Sequence, residues 1–233
     1  MDLARTLVER RTLLAVLTII VSIVVGWGVT KTSIDPRSDA ILPEDDPYAA
    51  EVKAVEADFP RSRSALFTFI APDGDIFNRE ALTAMEALHA RFGEVQSAVA
   101  VGSMVNYRLN AVDETIYGRQ YLLPPVDSLS DNDLAEVRDI ALADEDLVKT
   151  QLARDGDMAL AIFKYRPSGE GLSERLEIAR SVVALRDRLR GDYPGVEIYV
   201  LGNDLFELDS YNAQIKDRNN LAPLVALATT LLP

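Results

Sequence analysis

Side chains that commonly carry chemistry are scarce in this sequence. Its 233 residues include one histidine, His89, and no cysteine, so thiolate zinc sites, disulfides and Cys–His catalysis cannot be assembled. His89 lies on the polar side of a helical pattern and reads as a solvated surface residue rather than a base or ligand. Carboxylates gather at Glu44-Asp45-Asp46, at Asp144-Glu145-Asp146 and at Asp155/Asp157. None has the spaced D-x-D-x-D-G loop of a strong calcium site, and helix caps and solvated faces account for them. Phosphate loops, nucleophile elbows and basic aromatic patches are missing, so the reading is no enzyme, no cofactor and no metal. Candidate substrate contacts remain: Met104, Tyr107, Leu109, Tyr117 and Tyr121, in a stretch with weak secondary-structure signals. Hydrophobic ligand sites are mostly apolar with a few polar tips, which tyrosine supplies. The alternative is that these side chains pack the stretch against a sheet or a neighbouring domain.

The elements that would position them are legible from periodicity. Four short runs rich in β-branched or aromatic residues read as strands: 65–71 (ALFTFIA), 95–101 (VQSAVAV), 158–165 (MALAIFKY) and 196–201 (VEIYVL). Between the first two, Ala81, Met85, Leu88 and Phe92 recur at helical spacing within 78–92. Between the last two, 173–190 opens with Ser173 as N-cap and Glu174 and Glu177 behind it. It closes on Arg186, Arg188 and Arg190, with Gly191 as the stop. A further helix is expected after Asp46 and Pro47, with Val52, Val55 and Phe59 on one edge.

The order β-α-β, interruption, β-α-β is the split βαβ, or ferredoxin-like, plan, an α+β fold whose first and third strands are central. ALFTFIA and MALAIF are apolar on both faces, as central strands require, whereas Gln96, Ser97 and Glu197 mark the other two as edges. The predicted sheet order is fourth, first, third, second. Phe67 and Phe69 point away from Leu66 and Ile70, so one sheet face keeps apolar side chains that the two helices do not cover. The interruption at 102–156 becomes helical after Ser130 and Asp133, a capping-box start, and ends at the turn Asp155-Gly156-Asp157.

Residues 12–30 carry no charge and, at about 1.5 Å per residue, reach roughly 28 Å, close to the hydrocarbon thickness of a bilayer. Arg5, Arg10 and Arg11 precede them and acidic residues follow, which predicts an N-terminal transmembrane helix with the N-terminus in the cytoplasm and the main domain outside. A cleaved signal peptide would have a shorter apolar run and a small-x-small site, and bulky Trp27 stands between Gly26 and Gly28. The apolar run 221–233 reads as the start of a second span, or alternatively as a buried terminal helix or strand. The expected division is a cytoplasmic N-terminus 1–11, transmembrane helix 12–30, connector and helix 31–64 and sheet domain 65–202 with its insertion at 102–156. A re-entry helix 203–220 and a truncated second span 221–233 follow. Residues 1–11 carry a net +1, so the rest of the chain carries −14 of its total of −13, a charge that repels phosphate backbones and excludes nucleic acid.

The basic N-terminus, the apolar run, the connector D-P-R-S-D-A-I-L-P-E-D-D-P from Asp35 and the V-L-G-N-D-L-F-E-L segment at 200–208 are together similar to the N-terminal portion of resistance-nodulation-division (RND) superfamily exporters. The likeness is to the MMPL-like and hopanoid or sterol exporter-like branch. It implies a membrane protein fragment: one span and a periplasmic porter domain of a proton-driven bacterial inner-membrane exporter of lipids or other hydrophobic molecules. The implied partners are the bilayer, a lipid substrate, the remaining spans and second porter domain of the same full-length protein, and a homo-oligomeric or periplasmic partner. Drug-efflux members have two porter subdomains per loop, and only one is countable here.

Overall fold

A computed structural model describes residues 10–30, 51, 54–55, 58, 62–110, 115, 117–169 and 171–231. The predicted N-cap at Asp46 and the cluster Glu44-Asp45-Asp46 lie outside the described residues. The chain divides into two compact units, 41–208 and a second formed by 1–40 with 209–233.

Unit 41–208 is an α+β domain. In chain order it holds β1 (Arg63–Ile70), α2 (Arg79–Arg91), β2 (Ala98–Gly102), α3 (Asp131–Ala143), α4 (Glu145–Thr150), β3 (Met158–Tyr165), α5 (Leu172–Asp192) and β4 (Glu197–Leu201). Helix α1 (Arg11–Thr30) precedes them, and α6 (Asn203–Leu231) starts in this unit and continues into the other. The sheet order is β2-β3-β1-β4, all neighbours antiparallel, which is the order read from the two doubly apolar strands.

Alternation along the strands divides the sheet into two faces. Ala65, Phe67 and Phe69 of β1 sit opposite Phe163, Ala161 and Ala159 of β3, with Val200 and Ile198 of β4 completing two of these rows. This face is buried with Met85 and Leu88 of α2 and Ile178, Val182 and Leu185 of α5. Phe67 and Phe163 rings lie 5.7 Å apart, a tilted aromatic pair of the kind worth about 0.5–1.5 kcal/mol beyond area burial. On the other face Leu66 pairs with Ile162 and Leu201, and Thr68 with Leu160 and Tyr199. Leu66, Tyr199 and Leu201 are exposed there.

Local start and stop signals explain most helix ends. Asn78 caps α2 by accepting from the Ala81 amide, and Ser130 with Asp133 forms the predicted capping box of α3. Helix α5 differs from expectation: it begins at Leu172 behind Gly171, without a side-chain cap, and runs through Gly191 to Asp192. Glu174 is drawn back to the preceding loop, where it accepts from the Ser168 amide and hydroxyl and the Gly169 amide. Those bonds hold its carboxyl below the usual carboxylate range. Gln96 and Ser97 precede β2 rather than belonging to it, because Ser97 adopts a left-handed φ of 64° and the register slips between Ala98 and Ala100.

The expected transmembrane helix at 12–30 is corrected. Among the described residues no helix is long and apolar enough to cross a membrane. Spanning takes about 20 consecutive apolar residues over roughly 30 Å. Helix α1 is 20 residues in all, opens on Arg11 and carries Thr12, Thr18, Ser22 and Thr30, so it falls short of about 20 consecutive apolar residues. Helix α6 shows no break at residue 220, where a re-entry helix was expected to give way to a span. Its first sixteen residues include Asp204, Glu207, Asp209, Lys216, Asp217 and Arg218.

Candidate functional site

The insertion packs beside α2. Arg79 donates from Nη1 to the Val126 carbonyl at 2.8 Å and from Nη2 to the Leu129 carbonyl at 2.7 Å, while Glu86 accepts from the Val126 amide at 3.0 Å. Buried Leu122, Val126, Val137, Ile140 and Leu147 continue the domain core into it. Two short backbone links, from the Leu109 amide to Gln120 and from the Leu122 amide to Tyr107, hold 107–109 against 120–122.

This packing separates the five candidate contacts. Met104 and Leu109 are 1% and 3% exposed and pack in the core. Tyr107 is half-buried and its hydroxyl donates to Asp144 Oδ2 at 2.8 Å. Tyr117 and Tyr121 are exposed, and the Arg119 guanidinium lies 5.8 Å from the Tyr117 ring centre. A cleft of about 520 Å³ brings Tyr107 and Tyr117 together with Arg108 and Asn110, facing Ile140, Ala143 and residues 144–146. Met104, Leu109 and Tyr121 do not line it.

The cleft's acidic rim is the Asp144-Glu145-Asp146 cluster, largely engaged in structure. Asp144 caps α4 by accepting from the Asp146 and Leu147 amides at 2.9 and 3.0 Å, and Glu145 pairs with Lys149 at 2.8 Å. Asp155 and Asp157 flank Gly156, whose φ of 72° makes the turn before β3. Among the described residues no group of three or more His, Asp or Glu side chains is placed to hold a metal ion. His89 is half-buried rather than solvated, with Nε2 2.7 Å from the Ser103 hydroxyl. Burial lowers its pKa, since the charged imidazolium is the form that desolvation disfavours.

A second constellation escaped the sequence reading. Arg175 at the start of α5 and Asp204 and Glu207 at the start of α6 are 2%, 1% and 4% exposed, among the few buried charges. Arg175 Nη2 bonds Glu207 Oε2, and Arg63 Nη1 bonds Asp204 Oδ1 at 2.8 Å. The Tyr165 hydroxyl donates to Asp204 Oδ2 at 2.8 Å. Tyr165 is buried, so desolvation first, and the Asp204 charge second, push its phenol strongly upward and keep it a donor. Two cations and two anions balance, as buried charges must. Signals existed in sequence: Asp204 and Glu207 share a helix face at i, i+3, and Arg175 sits in the first turn of α5, where the helix dipole disfavours a cation.

The fold and these two places define a split βαβ α+β domain with an amphipathic cleft on its insertion and a buried ionic joint under α6. Compared with known proteins, the chain matches no family model and no curated protein sequence.

Proposed function

We propose that this chain is the N-terminal part of a proton-driven RND-type exporter of lipids or other hydrophobic molecules, its α+β domain acting outside the cytoplasm as the porter-type unit along the substrate path. The observation offered for the reading is the insertion cleft, where the rings of Tyr107 and Tyr117 stand beside Ile140 and Ala143 within a mostly polar lining of Arg108, Asn110 and the carboxylates of 144–146. That pairing of ring surface with hydrogen-bonding tips suits an amphipathic molecule better than a small ion. The split βαβ sheet with its insertion between β2 and β3 agrees with the resemblance, and no catalytic step is assigned. The test is the paired change Tyr107→Ala and Tyr117→Ala in the full-length protein, with Tyr107→Phe as control for the bond to Asp144. Lipid binding or export falls at least tenfold in the pair while expression and folding hold. Unchanged transport at normal expression refutes the assignment.

A second reading, an extracytoplasmic binding or adaptor domain acting through protein contacts, draws on Tyr199, Leu201 and Phe206, which are 44%, 62% and 74% exposed. Co-purification of a partner protein that is lost in Leu201→Asp, with lipid binding intact, favours it.

A further inference from the structure

The buried ionic joint contains one group out of place. Arg175 Nε is buried and has no hydrogen-bond partner, although Asp204 Oδ1 is only 3.8 Å away. Closing that gap to the roughly 2.9 Å of an ordinary bond takes a shift of about 1 Å. Asp204 Oδ1 is held back by Arg63, whose side chain is 35% exposed, while those of Arg175 and Asp204 are 3% and 1% exposed. Arg63 is thus the one charge of the joint within reach of solvent or of an incoming anion, and it opens β1 directly across from Tyr165 of β3.

We propose that Asp204 is a two-position latch on the first turn of α6. In the position seen, Arg63 and Tyr165 hold it to β1 and β3. In the second, an acidic group that draws Arg63 away leaves Asp204 to close on Arg175 Nε, so that Asp204 and Glu207 both bind α5. The start of α6 then changes its anchorage from sheet to helix without losing a buried ion pair. Breaking the joint outright would strand a buried charge, whereas exchanging partners on Arg175 keeps every charge compensated. Phe206, between the two acids, is 74% exposed and does not obstruct the shift. Helix α6 continues unbroken to Leu231, so the latch sits at the root of the longest helix in the structure.

The experiment follows the Arg175 Nε–H signal of the 15N-labelled chain by NMR, assigned by its loss in Arg175→Lys. In Arg63→Gln the signal moves downfield and its exchange with solvent slows at least tenfold, while Arg63→Lys keeps the behaviour of the unaltered chain. Raising salt to about 1 M, where the Debye length is about 3 Å, screens the half-exposed Arg63 pair more than the buried one and moves the unaltered chain's signal the same way. If Arg63→Gln leaves Nε–H unchanged and the amides of 205–208 lose protection, Arg63 is a strut and the latch is refuted. Should that variant fail to fold, the salt titration decides alone: no movement of the signal refutes the latch.

Discussion

Replacing Arg175 by methionine tests how dry the ionic joint is. The substitution keeps the length of the side chain's apolar stem and removes the cation that meets Glu207 and lies 3.8 Å from Asp204. Asp204 retains Arg63 and Tyr165, so Glu207, 4% exposed, is the group left without its partner. Removing one member of a buried pair costs about 3–5 kcal/mol, because the other charge remains desolvated. Against a domain stability of about 5–15 kcal/mol this is a large fraction. For a domain of this size it lowers Tm by roughly 6–20 °C. Urea unfolding followed by circular dichroism should give a lower midpoint with an unchanged slope. The double change Arg175→Met with Glu207→Met removes the stranded charge and fills the space with apolar atoms, so it should recover most of the loss and sit within about 1 kcal/mol of the parent. A loss below about 1 kcal/mol in the single variant, or a double variant no more stable than the single, refutes the picture of a water-excluded pair.

Two further outcomes are expected. In Gly202→Ala the new Cβ would lie 2.9 Å from Leu205 Cδ1 and 3.1 Å from the Ser64 carbonyl, an overpacking worth about 1–3 kcal/mol; a melt identical to the parent's would show that Gly202 does not approach β1 this closely. His89 is depressed below its ordinary 6.5 by burial, so the unfolded chain takes up the proton first as pH falls, and its contribution, complete above about pH 6.5, drains away below it. His89→Gln should therefore lose less stability than the parent between pH 7 and pH 5 by denaturant titration, and equal losses would place the imidazole in solvent.

Elements and their order could be read from residue pattern alone. Strand β3 matches its expected bounds, α2 falls within the helical spacing read at 78–92, and α3 begins at the cap its sequence advertises, because cap chemistry and apolar period act within a few residues. Sheet order was read from the apolar faces of β1 and β3, although the edge strand β2, Ala98–Gly102, is itself apolar throughout once Gln96 and Ser97 fall outside it. The insertion shows where this reasoning stops. Met104, Tyr107, Leu109 and Tyr117 are alike in type and close in sequence, yet two lie in the core and two line a cleft, a choice made by the fold of the insertion, in which 107–109 bonds to 120–122.

What the sequence by itself determined is the set of strands and helices of the sheet domain and the split βαβ order, since the elements follow from local periodicity and their order from the β-α-β succession. Only the tertiary structure decided which tyrosines are reachable, that His89 meets Ser103, and that Arg63 meets Asp204 across 141 residues of chain. A charged side chain looks the same in sequence whether it is solvated or buried. Its fate is set by the desolvation it suffers and the partner it finds, and both depend on residues that only the completed fold brings within a few ångströms.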